Sequence, residues 1–255
     1  MSRRPTFDRV AFLSDPHAPY HDEPAFHAAL AFLRYFKPAI IYLLGDWIDF
    51  YQLSRFDKRP DRVLQLQADL DGTGKLLRET RKSAPRATIR YIAGNHERRL
   101  KRFLWTKSAE LAGLRVLELP VLLDLAKHDI AYVPSGVEMF RGFVVKHGSI
   151  VRLRSGYTAT GELERAGLSG CSGHTHRLGQ VFKRNYRGPF TWMETGCLCE
   201  LDPGKREEGY GEGALFDWQH GLGYGFFEQG GNAFSVSPLP IVKGRVRYGG
   251  VEISG

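Results

Sequence analysis

Five short polar motifs carry the chemistry that this chain could do: Asp15-Pro16-His17, Gly45-Asp46-Trp47-Ile48-Asp49, Gly94-Asn95-His96-Glu97, His147-Gly148 and Gly173-His174-Thr175-His176. Each directly follows an apolar run, and together they hold five of the nine histidines. Carboxylate, imidazole and amide oxygen suit hard-to-borderline divalent ions such as Mn, Fe or Zn, and no thiolate sits in the motifs. Asp15/His17 and His174/His176 are pairs at i and i+2, which on an extended segment point to one side. Asp46 has two carboxylate oxygens and can bridge two ions. Taken singly, each motif says little: His147 alone reads as structural. Repeated at five strand ends in this order, the pattern points to a metal site.

The elements that must hold these motifs can be read from periodicity. Val10–Leu13, Ile40–Leu44 and Thr88–Ala93 read as buried strands. Residues 23–36 carry Phe26, Ala29, Leu30, Leu33 and Phe36 at helical spacing, with Pro24 in the first turn. Residues 61–83 read as a second helix from Val63, Leu66, Leu70 and Leu77. Strand–helix–strand–helix–strand predicts parallel strands joined by crossover helices, with functional groups just past their carboxyl ends. A helix is expected over 97–111 and another over 158–166. Eight short strands are expected between Ile130 and Ser237, and residues 203–223, rich in Gly and charge, read as a long surface loop.

The series D-x-H, G-D-x-x-D, G-N-H-E, H-G and G-H-T-H resembles the calcineurin-like metallophosphoesterases over about residues 10–200. The resemblance implies an α/β fold: a four-layer sandwich of two packed mixed β-sheets flanked by helices. It implies two divalent metal ions. Asp15, His17 and His176 would hold the first, Asn95, His147 and His174 the second, and Asp46 would bridge them. Mn is the favoured ion, with Fe, Zn or Ni as alternatives. His96 would face the substrate as the catalytic histidine, and Asp49 would orient it. Serine/threonine phosphatases of this superfamily extend the second motif to G-D-x-x-D-R-G. Here Phe50-Tyr51 stands there, so the phosphate-binding arginine is absent from that position.

With 255 residues and 42% apolar content the chain can bury one sizeable core, and no linker or repeat divides it. One metallophosphoesterase domain over 1–255 is therefore expected, with the motif core at about 10–200 and a C-terminal loop and strands at 201–255. The first apolar run is too short for a signal-peptide core, and no run approaches the roughly 18 residues of a membrane span. The expectation is a cytoplasmic protein without membrane contact. Three cysteines make no disulfide framework, and Cys197-x-Cys199 lacks a partner pair for zinc, so they read as small buried residues. Trp47, Tyr51 and Trp105 read as packing residues, and His21 as part of a surface turn.

The net charge is +8, and the ten Lys/Arg and two Glu between Arg78 and Lys107 match it. A basic surface attracts polyanions. Arg98 and Arg99, with Lys101 and Arg102, open a helix whose dipole they oppose, so they are expected to bind substrate. The expected function is metal-dependent hydrolysis of phosphodiesters, with nucleic acid or nucleotides as the favoured substrate class. The rivals are a phosphomonoesterase of broad specificity and a non-catalytic metal- or nucleic-acid-binding protein. The sequence does not address oligomeric state.

Overall fold

A computed structural model describes residues 5–55, 57–202 and 217–255 of the chain. Strand β1 (Phe7–Leu13) is apolar at consecutive positions because both its faces are covered. Val10 and Phe12 enter one core cluster, Ala11 and Leu13 another. Strand β2 (Ile40–Leu43) divides in the same way, with Tyr42 on the first side and Ile41 and Leu43 on the second. Strands β3 (Thr88–Ile92) and β4 (Ile130–Val133) complete a parallel run β1-β2-β3-β4.

Helices α1 (Glu23–Phe36) and α2 (Leu66–Ser83) make the crossovers. The Asp22 carboxylate caps α1 by accepting the Ala25 N–H at 2.7 Å, Pro24 sits in its first turn, and Lys37 ends it at a φ of 50°. Helix α3 (Glu97–Lys107) follows β3 and sends Leu100 and Leu104 into the same cluster as α1 and α2.

The second sheet has the order β5-β6-β7-β9-β8, from β5 (Val137–Phe140), β6 (Phe143–Lys146), β7 (Gly170–Ser172), β8 (Leu178–Asn185) and β9 (Gly188–Thr195). Its inner face, through Phe143, Val145, Cys171 and Met193, packs on Val10, Phe12 and Tyr42 of the first sheet. Its outer face, through Val144 and Trp192, is covered by Ala159 and Leu163 of α5 (Tyr157–Ala166). The short helix α4 (Leu119–Leu122) lies between α3 and β4 in the chain. The chain then returns to the first sheet: β10 (Gly221–Glu228) runs antiparallel to β1, and β11 (Phe234–Val242), β12 (Arg245–Tyr248) and β13 (Val251–Ser254) extend it to eight strands. Helices, sheet, sheet and helix make the four expected layers, and both sheets are mixed.

Several expectations are corrected. The second helix starts at Leu66, not 61, because Arg62 turns inward to donate to Asp69 at 3.1 Å and the 60–64 segment forms turns around it. Val63 is 42% exposed and faces no core. Helix α3 ends at Lys107, and a single 3₁₀ turn covers Ala109–Leu111. The expected loop at 203–223 lies outside the described residues up to 216, and its last residues, from Gly221, are already in β10. Trp47 and Tyr51 are buried as expected, but Trp105 is 62% exposed on α3. Among the described residues, no helix is long and apolar enough to cross a membrane.

Candidate metal centre

The polar motifs sit just past the carboxyl ends of β1, β2 and β3 in one sheet and of β6 and β7 in the other. Their backbone is not extended. Asp15, His17, Asp46, His174 and His176 all have positive φ, between 51° and 72°. Left-handed backbone costs a non-glycine residue roughly 1–2 kcal/mol and clusters at functional sites. The alternation argument for Asp15/His17 and His174/His176 is therefore corrected: Asp15 and His17 converge through left-handed turns, not strand geometry, and His174 and His176 go to two neighbouring groups. Gly45, at a φ of 90°, and Gly94 lie back to back, and a Cβ on Gly94 would collide with the Asp46 carboxylate. Only glycine lets these two loops approach.

The ligand atoms meet in two groups. Nε2 of His17 and Nε2 of His176 lie 3.0 Å apart, with Asp15 Oδ1 at 3.7 and 3.4 Å from them. Nε2 of His147 lies 3.4 Å from Asp46 Oδ2 and 2.9 Å from Asn95 Oδ1, and His174 completes this second group. Asp46 Oδ2 also lies 3.8 Å from Nε2 of both His17 and His96. It therefore faces both groups. Asn95 is exposed and His174 half-buried, so the second group opens to solvent, while Asp15, His17, Asp46 and His147 are buried.

The outer contacts fix which nitrogen each ring presents. His147 Nδ1–H donates to the Leu44 carbonyl at 2.7 Å, which leaves Nε2 as a lone pair in the site. His17 Nδ1 lies 3.3 Å from Asp49 Oδ2 and is fixed in the same sense. Asp49 also lies 3.2 Å from His96 Nδ1, so one carboxylate touches both rings. Arg99 donates to the Asp49 carbonyl at 2.9 Å and to His96 Nε2 at 2.9 Å. Arg98 is exposed and reaches Gly136 beyond β4. His21 packs on Phe26 and lies 3.2 Å from Glu23.

Burial alone would raise the carboxyl groups. At Asp15 the His17 and His176 imidazoles overcome it, and at Asp46 those of His147 and His96 do so, holding both well below the usual carboxylate range. Burial likewise opposes charge on His147, but the Asp46 carboxylate prevails and pushes its pKa up to about 9. His174, desolvated and beside His147, falls to about 4. One ring is thus easily protonated and its neighbour is not, as expected where closely packed bases share too few protons.

The sequence reading gave no role to Glu97 or Glu194. The buried Glu97 carboxylate accepts the N–H groups of Asp46, Trp47 and Gly94 at 2.7–2.9 Å and the Tyr91 hydroxyl at 2.6 Å. It ties the second motif to the third. Glu194 accepts the Thr175 hydroxyl at 2.7 Å and the Gly156 N–H at 2.8 Å, and so holds the fifth motif to the start of α5. The available signal was a lone acid within Trp192-Met193-Glu194-Thr195, an otherwise apolar run.

A family model described as calcineurin-like phosphoesterase matches residues 8–178. The chain belongs to that family. As a calcineurin-like phosphoesterase it is a metal-dependent phosphoric ester hydrolase. It is 27% identical to the gene 54 protein of Mycobacterium phage D29, over 95% of this chain and 97% of that one. It is 24% identical to the gene 54 protein of Mycobacterium phage L5, with the same shares covered. Among solved structures, vacuolar protein sorting 29 from Cryptosporidium parvum aligns with a TM-score of 0.44 and 13% identity, over 98% of this chain and 100% of that one. Yfce, a phosphoesterase from E. coli, aligns with a TM-score of 0.38 and 12% identity, over 86% and 90%.

The family implies two divalent ions, and the residues present fit them. Asp15 Oδ1 is buried and accepts no hydrogen bond, and Nε2 of His17 and Nε2 of His176 stand 3.0 Å apart beside it. A buried carboxylate oxygen beside two imidazole nitrogens suits a divalent cation. The oxygen and nitrogen donors around Asp46 have the same character.

Proposed function

We propose that this calcineurin-like phosphoesterase hydrolyses phosphodiesters, with nucleic acid or nucleotides as its substrate class and Mn²⁺ as its working metal. Asp15, His17 and His176 would hold one ion, Asn95, His147 and His174 the other, with Asp46 between them. Two such ions would activate the attacking water and neutralise phosphoryl charge. The chain's own residues supply the rest. His96 stands at the open side of the site and would protonate the leaving oxygen or stabilise phosphoryl charge. Asp49 holds its Nδ1, so a proton gained at Nε2 makes an imidazolium paired with a carboxylate. Arg99 now donates to that Nε2. A phosphoryl oxygen would draw the guanidinium away and free Nε2 for the proton. Arg99 thereby takes up the phosphate-binding task for which the second motif has no arginine, since Phe50 and Tyr51 are buried there.

The observation that carries the diester reading is the exposed face of α3 leading away from His96. Lys101 Nζ stands 4.7 Å over the exposed Trp105 ring. With Arg98 they border an open cavity of about 500 Å³ that is also lined by Leu117, Pro120 and Tyr132. A cation and an aromatic plane together suit a phosphate chain and its bases. Two other cations of the basic segment are engaged elsewhere: Arg81 donates to the His128 and Ala87 carbonyls, and Arg90 to Glu138.

The test is a Mn²⁺ assay on single- and double-stranded DNA, RNA, cyclic nucleotides and aryl mono- and diesters. Replacing Arg98, Lys101 and Arg102 with Gln should weaken oligonucleotide binding. It should also flatten the slope of log affinity against log salt by about two to three units. A preference for aryl monoesters, with an unchanged salt slope, would replace this reading by a broad phosphomonoesterase.

A further inference from the structure

Behind the metal centre, on the far side of His176, two sulfurs converge. Cys197 and Cys199 follow β9 in a short segment that pairs across to two others, Cys199 with His21 and Cys197 with His220. Both side chains are fully buried, and no disulfide joins the cysteines among the described residues. Cys199 Sγ lies 3.9 Å from His176 Nδ1. Cys197 Sγ, Cys199 Sγ and a His176 ring nitrogen all lie within 4.8 Å of one another. The Gln219 carbonyl oxygen stands 3.6 Å from Cys197 Sγ.

Zinc bound at about 2.3 Å to sulfur and 2.0–2.1 Å to imidazole nitrogen separates neighbouring ligands by roughly 3.5–4 Å. The His176–Cys199 spacing has that size already. The donor set differs in kind from the oxygen-rich centre next to it, since two sulfurs and one nitrogen favour a borderline or soft ion. The set is also electrically suited to its burial. Two thiolates offset one divalent charge, which leaves only the imidazolate charge that His176 shares with the neighbouring oxygen–nitrogen group. His176 serves both sides, because its Nε2 faces Asp15 and His17 while its Nδ1 faces the sulfurs.

We infer that His176, Cys197 and Cys199 form a third metal site, for a zinc-class ion, joined to the phosphoesterase centre through the shared imidazole. Loading releases one proton from each thiol and one from His176 Nδ1, and the three metal–ligand bonds replace the three bonds to hydrogen. No electron transfer is involved. The ion would make the His176 ring a stronger donor at Nε2 and fix its plane, as outer ligands do in other metal sites. The inference is independent of which phosphate ester is the substrate.

Cadmium is the probe, because thiolate coordination gives it an ultraviolet charge-transfer band and a cadmium NMR resonance separate from those of oxygen- and nitrogen-bound ions. The full chain, reduced with a phosphine, is titrated with Cd²⁺. The expected result is one sulfur-bound ion per chain in addition to ions in the oxygen–nitrogen centre. The Cys197→Ser/Cys199→Ser variant should lose the band and the sulfur-type resonance while keeping the others, and Cys171→Ala should keep all of them. Saturated wild-type protein with neither band nor sulfur-type resonance overturns the inference, and this reading does not depend on any variant folding. A band that disappears in Cys171→Ala and survives in the double variant overturns it as well.

Discussion

Asp46 Oδ2 is the atom on which the site turns, since imidazoles of both groups and of His96 stand within 3.8 Å of it. Asp46→Asn should abolish turnover and lower metal content below two ions per chain, measured by elemental analysis beside the assay. Normal rates with two ions bound would remove the bridging role. His96 belongs to a different class: its Nδ1 is held by Asp49 and its Nε2 by Arg99. His96→Ala should keep both ions and lose ~10²–10⁴-fold in rate, the range of general acid catalysis. That loss should shrink with a p-nitrophenolate leaving group, which needs no proton; loss of metal instead would make His96 a ligand. The residue types of this site are legible in the sequence because carboxylate and imidazole recur after apolar runs. The conformations are not. Asp15, His17, Asp46, His174 and His176 share a left-handed backbone that no propensity of Asp-Pro-His or His-Thr-His foretells, because the surrounding packing imposes it. Glu97 was legible as a letter of its motif, but its task depends on which N–H groups fold around it.

At the level of elements, β1, β2 and β3 are legible because double-sided burial leaves unbroken apolar runs, and α1 because capping and periodicity agree. The start of α2 is not legible. Val63 has the right spacing, but the bond from Arg62 to Asp69, seven residues on, overrides it. Strands β12 and β13 were missed, since Arg245-Val-Arg-Tyr248 reads as polar. The signal was there in Gly249-Gly250, both at positive φ and placed between two four-residue strands as in a tight hairpin. The loops after β2 and β3 act as one unit because Glu97 clasps them. Glu97→Gln puts an amide against backbone N–H groups, and each N–H left without an acceptor costs roughly 1–3 kcal/mol. Urea unfolding should show that loss, and metal affinity should fall with it, since Asp46 N–H is one of the clasped groups. Unchanged stability and affinity would mean that the loops hold their places without Glu97.

For the whole molecule, the layered order follows from which faces are apolar, and the motifs lie where both sheets present the carboxyl ends of strands. The charge of +8 is a poor guide to a binding surface. Arg81 and Arg90 bond to carbonyls and to Glu138, so only part of the basic run faces outward on α3. The C-terminal ribbon has a further consequence. β1 lies between β2 and β10, and its pairing joins Phe7 to Glu228 and Phe12 to Gly223. A chain emerging from a ribosome at ~5–20 residues per second makes β1 early and must leave one of its edges open for over ten seconds. During that interval the edge is a template for any passing strand, another nascent copy included. A chaperone that shields extended apolar segments would therefore be needed until β10 is made, although the finished fold leaves no such edge there. A chain halted after Asp202 should remain in that exposed state and sediment with aggregates; a soluble, monomeric product would show that β1 is protected some other way.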